Sequence, residues 1–292
     1  MIHLINAKSI LHHHKKTFAT NWDINVYRGC SHKCVYCFAQ YSHKYLEADF
    51  FDDIFVKTNA AEVLAKEFAK RNWKRNSVCI GGVSDPYQNA EADFKILPEV
   101  LKVFIEYKNP LAITTKSVLL LRDIDLFAEL AKVTNVSVAV SISVLNENYR
   151  KLVEPNASAA LERLNMLRKL KEVGCHVGIL LMPIIPYISD DDKNLDEVFR
   201  IAGDVGVNFV SAWTLHLRGK TKPYFFRFLL QNFPQLLNKY KELYEYSEAN
   251  SEYRKGIMNK IKTLRKKYQV FDFDNFLKYN MPEKEVQLNL FD

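Results

Sequence analysis

Residues 27–40 read YRGCSHKCVYCFAQ and hold Cys30, Cys34 and Cys37, three of the chain's five cysteines, within eight residues. Their spacing is C-x3-C-x2-C. A structural zinc site takes four ligands and commonly pairs two C-x2-C units from separate segments. Here the second unit is missing, so zinc would need His32 or His43 as its fourth ligand. A [4Fe–4S] cluster held by three thiolates instead leaves one iron open to a substrate. Cys79 and Cys175 stand alone in or beside apolar runs, as small buried hydrophobes do, and are expected not to be ligands.

The chain has 292 residues, 48% hydrophobic and 26% charged, which is enough apolar material for a large core and argues against disorder. No apolar run reaches the roughly 18 residues a membrane helix needs. The opening MIHLINAKSI is soon interrupted by HHHKK and is too polar for a signal peptide, so a cytoplasmic protein is expected. Such a compartment keeps thiols reduced, and a tight cysteine cluster there points to metal or redox chemistry. The net charge of +7 suits a polyanionic partner or a basic solvated surface. Much of it gathers in residues 252–270, EYRKGIMNKIKTLRKKYQV, which reads as a basic helix. His12, His13 and His14 read as a solvated segment.

From Trp22 onward, short β-rich runs alternate with amphipathic stretches. The runs are WDINVYRG, SVCIGGVSD, LAITTKS, VSVAVSISV, HVGILLMPIIP and FVSAWTLHLRG. They look apolar on both faces, as covered parallel strands do. Asn59 with Glu62 resembles a capping box ahead of Leu64 and Phe68. Leu161, Leu164, Leu167 and Leu170 form a stripe that stops at Gly174. No G-x-G-x-x-G follows the first run, which disfavours a dinucleotide-binding sheet. The expected organisation is an N-terminal segment (1–21), a barrel or partial barrel of strand–helix units (22–223), a helical appendage (224–281) and an extended tail (282–292). In such barrels the chemistry sits at the C-terminal strand ends. Small or polar residues gather there: the cysteine loop, Ser84 and Asp85, residues 114–117, Ser141 and Ser143, and His216 with Arg218 and Lys220.

The spacing C-x3-C-x-aromatic-C, with Tyr36 as the aromatic, resembles the signature of radical S-adenosylmethionine enzymes. The stretches GGVSDPYQNAE, TTKS, SVAVSISV, LVEPNASAALERL and LMPIIPYISDD further resemble the spore photoproduct lyase family and its "DNA repair photolyase" relatives, over about residues 25–235. The resemblance implies an α/β fold of the partial (β/α)6 barrel type. It implies a [4Fe–4S] cluster on Cys30, Cys34 and Cys37 whose open iron binds S-adenosylmethionine and cleaves it to a 5′-deoxyadenosyl radical. It also implies an electron donor such as flavodoxin or ferredoxin, and a nucleic-acid or nucleotide substrate in DNA repair or modification. Carried over residue by residue, Tyr36 and Phe38 would lie near the adenosyl group and Ser84 with Asp85 would contact S-adenosylmethionine. Lys116 would meet its carboxylate, and either Ser141 or Ser143 its ribose.

One departure limits the transfer. The lyases place a hydrogen-donor cysteine two residues before the serine of that pair, where this chain has Gly82. Cys79 lies three residues earlier, so repair of the spore thymine dimer does not carry over. A peptide or small metabolite is the alternative substrate, and a noncatalytic zinc-holding nucleic-acid module the alternative class. Arg150, Glu154 and Arg163 match a family pattern and read equally as an ion pair at the barrel rim. His216, Arg218 and Lys220 fit either a substrate mouth or a structural rim.

The chain ends QLNLFD. Gln287, Leu288, Leu290 and Phe291 resemble the short peptide with which bacterial repair and replication proteins engage the DNA sliding clamp, an extended segment whose apolar anchors suit a groove. This reading predicts that purified clamp binds the intact protein and the free peptide but loses binding when the last six residues are deleted. Equal or absent binding by intact and truncated protein removes it.

Overall fold

The structure is a computed structural model, and it describes residues 1–14, 20–43 and 46–274. Gln287, Leu288, Leu290 and Phe291 therefore lie outside the described residues. Ten strands are present among the described residues: β1 (Ile2–Ile5), β2 (His12–His13), β3 (Trp22–Ile24), β4 (Tyr27–Arg28), β5 (Ile54–Lys57), β6 (Val78–Ile80), β7 (Leu111–Thr115), β8 (Val136–Ser141), β9 (His176–Ile184) and β10 (Phe209–Thr214). Six of them run parallel in the order β3-β6-β7-β8-β9-β10, each from one of the six anticipated runs. The sheet does not close on itself, and β2 pairs antiparallel with the outer edge of β3. On the far side, Phe271 forms a bridge with Phe209 and its carbonyl accepts from Val210 N–H at 2.8 Å.

The two faces of this sheet differ more than the apolar runs suggest. Val78, Ile80, Leu111, Ile113, Val136, Val138 and Val140 share one buried cluster with the helical residues Leu64, Leu101, Phe104, Phe127, Leu130 and Leu164. Alternate strand residues point the other way. In register across the strands these are Asp23, Cys79, Ala112 and Ser137, then Thr114, Ala139, Gly178 and Phe209, then Ser141, Leu180 and Ser211. Apart from Leu180 and Phe209, these residues on the concave face are small or polar. Phe209, against Phe273 at 4.7 Å, fills the space above Gly178.

Two local readings are corrected. The Asn59 side chain makes no cap; it accepts from Ala7 N–H at 2.8 Å and donates to the Ala7 carbonyl, tying down the N-terminal segment, while Glu62 pairs with Lys66. Leu164, Leu167 and Leu170 are buried in the helix Ala160–Glu172, but Leu161 is exposed and Arg163 takes the core-facing place. Helices Thr221–Asn232, Leu237–Leu243 and Ser251–Tyr268 follow β10. Their inner residues Phe225, Tyr240 and Tyr244 close a second cluster over the top of the barrel with Cys34, Val35 and Tyr36.

A small sheet, β1-β5-β4, was not legible as strands and proves to matter for the site. β4 delivers the chain into the cysteine loop and β5 receives it back, and the two pair antiparallel, Tyr27 with Val56 and Arg28 with Phe55. The loop is stapled at both ends.

The concave face gives a stability test. A Cβ at Gly178 would stand 2.2 Å from the Phe209 ring. Gly178→Ala is predicted to destabilise the apoprotein by about 1–3 kcal/mol, as overpacking does. Phe209→Leu in the same chain should recover part of that loss in urea unfolding, so a non-additive double-mutant cycle is expected.

Candidate metal centre

Cys30, Cys34 and Cys37 sit on a loop of turns, so its shape comes from what grips it. Gly29 has φ of +86°, and a Cβ there would meet the Asp53 carbonyl at 2.4 Å, so only glycine fits between β4 and the first cysteine. Cys30 N–H donates to the Phe50 carbonyl at 2.9 Å. Buried Gln88 holds Ser31 N–H at 2.9 Å and the Gly29 carbonyl at 3.0 Å. From the other side, Asn156 donates to the Ser31 carbonyl at 2.7 Å and its own carbonyl stands 3.1 Å from His32 Nδ1. Val35 N–H reaches the Val153 carbonyl, and Thr221 Oγ1 and Gln40 Nε2 both donate to the Cys37 carbonyl. The stretches DPYQNAE and EPNAS therefore act as clamps on the cysteine loop, a role that sequence reasoning assigned to neither Gln88 nor Asn156. Their signal was only that amide side chains punctuate loops after strands.

Burial pushes the thiols of all five cysteines up to about 12, but only three have groups that work against it. The backbone amides of Asp85 and His32 favour the thiolate of Cys30, those of Ala39 and Gln40 that of Cys37, and Lys116 favours the thiolates of Cys34 and Cys37. Cys79 has only Asp23 nearby, which disfavours its thiolate further, and Cys175 has burial alone. A bound metal deprotonates a coordinating thiol, and donors of this kind stabilise the result.

Cys30, Cys34 and Cys37 also feel one another's charge. Yet among the described residues no three His, Cys, Asp or Glu side chains form a group that could hold a single metal ion. Three thiols with no fourth are the donor set that would hold a cluster with one iron left open. His32, offered as a fourth zinc ligand, is engaged elsewhere: its Nε2 lies 3.1 Å from Asp85 Oδ2. His43 packs its ring edge-on against Phe50 at 5.2 Å and keeps a buried Nε2 with no hydrogen-bond partner among the described residues.

Asp85 is the junction. Its carboxylate accepts from Thr115 Oγ1 at 2.7 Å, Lys116 N–H at 2.7 Å and Tyr87 N–H at 2.9 Å, besides facing His32. Burial alone would raise its pKa, but His32 and these hydrogen bonds outweigh burial and hold it at about 2. Three hydrogen bonds and the facing His32 thus engage it from within the protein. Of the Ser84–Asp85 pair, the unspent group is Ser84 Oγ, buried with no hydrogen-bond partner among the described residues. The other buried side-chain atoms without a hydrogen-bond partner among the described residues are Asn25 Oδ1, Ser31 Oγ, His32 Nε2, His43 Nε2, Arg163 Nε and His216 Nε2. Such atoms are rare in native interiors and mark where a ligand belongs.

Behind the loop lies a charged core. Glu154 and Arg163, both fully buried, pair at 2.6 Å. The other Glu154 oxygen accepts from Tyr36 OH, and Ser143 Oγ donates to the same phenol at 2.9 Å. Arg163 also donates to the Ser141 carbonyl, while Arg150 holds the Glu154 and Ala157 carbonyls at 2.7 and 2.8 Å. Lys116 Nζ stands 5.8 Å from the centre of the Tyr36 ring. Burial works against its charge, but Cys34 and Glu154 prevail and raise its pKa. Tyr36 is thus buried and fixed, whereas Phe38 is 56% exposed and stacks on Tyr41. The two serines differ as well. Ser143 is spent on Tyr36, while Ser141 Oγ donates to the Met182 carbonyl at 2.9 Å on the concave face.

Asp85 gives a test with a sign. Its folded pKa lies below the ordinary 3.8, so its stabilisation is present above that value and is lost as pH falls through about 2. An amide accepts fewer hydrogen bonds and leaves buried donors unpaired. Asp85→Asn is predicted to lower the unfolding free energy of the apoprotein by about 1–3 kcal/mol above about pH 4. Denaturation across pH should show the difference from wild type closing in acid; a pH-independent difference contradicts the assignment.

The comparisons with known proteins agree with this geometry. The profile described as the Radical SAM superfamily matches residues 24–199. An uncharacterized protein of Mycobacterium tuberculosis is 34% identical over 254 residues, covering 85% of this chain and 75% of its own. One of Methanocaldococcus jannaschii is 29% identical over 245 residues, covering 84% and 86%. Among solved structures, a spore photoproduct lyase mutant with bound AdoMet and dinucleoside spore photoproduct superposes with a TM-score of 0.67 at 14% identity, over 91% of this chain and 79% of that one. A further spore photoproduct lyase mutant gives 0.68 at 16% identity, with the same coverage. No helix among the described residues is long and apolar enough to cross a membrane. The open six-strand parallel sheet, the three-thiol loop at its C-terminal end and the profile match lead to one conclusion: this chain belongs to the radical SAM superfamily.

Proposed function

We propose that the protein is a radical S-adenosylmethionine enzyme that takes a hydrogen atom from a nucleic acid or nucleotide. The observation that carries the chemistry is the trio Cys30, Cys34 and Cys37, alone among the five cysteines in having thiolate-stabilising groups around them. Bound there with S-adenosylmethionine, a [4Fe–4S] cluster supplies a 5′-deoxyadenosyl radical when reduced by a donor such as flavodoxin or ferredoxin.

The chain's own residues bind and orient. Lys116 pairs with the methionyl carboxylate, and the orphaned Ser84 hydroxyl bonds the ammonium end. Asp85 positions both segments, because its carboxylate holds Lys116 N–H and its own N–H serves Cys30. Ser141 or Ser143 meets the ribose, Ser141 while donating to the Met182 carbonyl and Ser143 while donating to the Tyr36 phenol. Phe38, exposed beside Cys37, flanks the adenosyl group, while Tyr36 and the Glu154–Arg163 pair hold the loop from behind.

Support for a nucleic-acid substrate comes from the lyase of the same fold that holds AdoMet and a dinucleoside together. The net charge of +7 suits a phosphodiester backbone. Gly82 leaves the lyases' donor position without a thiol, so the reaction differs from theirs in its hydrogen donor.

Anaerobically reconstituted protein is predicted to form 5′-deoxyadenosine and methionine with reductant. The triple Cys30, Cys34 and Cys37→Ala change should abolish this, and Cys79→Ala or Cys175→Ala should keep it. Deuterium from labelled DNA or RNA should appear in 5′-deoxyadenosine. Deuterium arriving from a peptide or small metabolite, with no salt-sensitive nucleic-acid binding, contradicts the substrate assignment and leaves the cysteine assignment intact.

A further inference from the structure

Trp213 is the least expected residue on the concave face. It lies on β10 between Ala212, which packs toward the helices, and buried Thr214, so it points with Phe209 and Ser211 toward the barrel interior. The sheet is locally irregular beside it. Ala212 pairs with Leu181 and Thr214 with Ile184, so Met182 and Pro183 together oppose Trp213 alone. A bulge of this kind re-aims side chains and is found beside active sites.

Trp213 is 53% exposed. Its indole N–H has no acceptor and its ring meets no other ring among the described residues. The other two tryptophans are spent on packing: Trp22 and Trp73 meet edge to face at 5.1 Å, and Trp73 donates to Asn109 at 2.8 Å. Leaving an indole half in water forgoes much of the burial that usually rewards the largest side chain. The position is also tied to the site. Ser141, Leu180 and Ser211 are in register on β8, β9 and β10, and Ser141 Oγ binds the Met182 carbonyl, directly across from Trp213. Two strand spacings separate Ser141 from β10, which puts the indole on the same face about 10 Å away. A few residues on, Arg218 and Lys220 are exposed and carry no ion pair among the described residues.

We propose that Trp213 is the platform on which a base of the substrate stacks, with Arg218 and Lys220 meeting the flanking phosphates. This deepens the nucleic-acid reading above and rests on it. An indole face with cations on the adjoining rim is the arrangement that binds single-stranded nucleic acid with little regard to sequence. A base splayed out of its strand would then lie inside the concave face, beside the group that reacts.

The test uses reconstituted protein, a labelled oligothymidylate of roughly ten nucleotides, and an oligomer of the same length with abasic sites, read by fluorescence anisotropy. Wild type should bind the base-bearing oligomer more tightly than the abasic one. Trp213→Ala should weaken the base-bearing oligomer about 5- to 150-fold, the range that one stacked base supports, and bind both oligomers alike. Trp213→Phe should retain part of the preference, which separates stacking from a folding defect. Equal binding of the base-bearing oligomer by wild type and Trp213→Ala overturns the platform while leaving the nucleic-acid reading standing. Loss of S-adenosylmethionine affinity in Trp213→Ala, matching the loss for the oligomer, also overturns it, because the indole then serves the cofactor. No binding of either oligomer by wild type sinks the nucleic-acid reading itself.

Discussion

The structure depends on one buried carboxylate. A loop of turns cannot hold three thiols in place by its own hydrogen bonds, and Asp85 supplies the connection to the sheet. It joins the end of β7, through Thr115 and the Lys116 N–H, to His32 inside the cysteine loop, while its own N–H faces Cys30. Gln88 and Asn156 repeat the arrangement from neighbouring strand ends. The clamps come from two strand–helix units, Asp85 and Gln88 after β6 and Asn156 after β8, which ties the loop to the barrel that carries it. Precise placement of a reacting centre requires that kind of external support.

Charge follows the same logic. Fully buried Glu154 would be costly alone, and Arg163, Tyr36 and the nearby Lys116 account for it. The network places one anion and two cations immediately behind the cysteines. It fixes Tyr36 in the loop and brings the Lys116 charge to Cys34 and Cys37. What matches a family pattern in LVEPNASAALERL is thereby given a physical meaning. The helix Ala160–Glu172 gives one core position to Arg163, while Leu161 is exposed.

The six parallel strands were legible because their helix-facing residues are strongly apolar and β-branched. The cysteine trio was legible from its spacing. What escaped were features decided by tertiary partners. The apolar runs hid a concave face of Asp23, Cys79, Thr114, Ser137, Ser141 and Ser211, because two- to three-residue polar alternation is faint beside so many valines and isoleucines. Asn59 reads as a cap until Ala7, 52 residues away, takes both ends of its amide. Asp85, expected as a cofactor contact, proves also to bind the ends of β7 and the cysteine loop, and its neighbour Ser84 is buried with no hydrogen-bond partner among the described residues. Sequence spacing could not separate Ser141 from Ser143, since both point the same way; the fold gives them different partners, the Met182 carbonyl and the Tyr36 phenol.

The central claim is that three thiolates leave one iron open for S-adenosylmethionine. Mössbauer spectroscopy of protein reconstituted with 57Fe measures this most directly. The account predicts a four-iron cluster in which about a quarter of the iron signal changes when S-adenosylmethionine is added, and that this response vanishes in Asp85→Asn or weakens with its loop. A cluster whose irons all remain equivalent, or a protein that retains zinc and assembles no cluster, would contradict it.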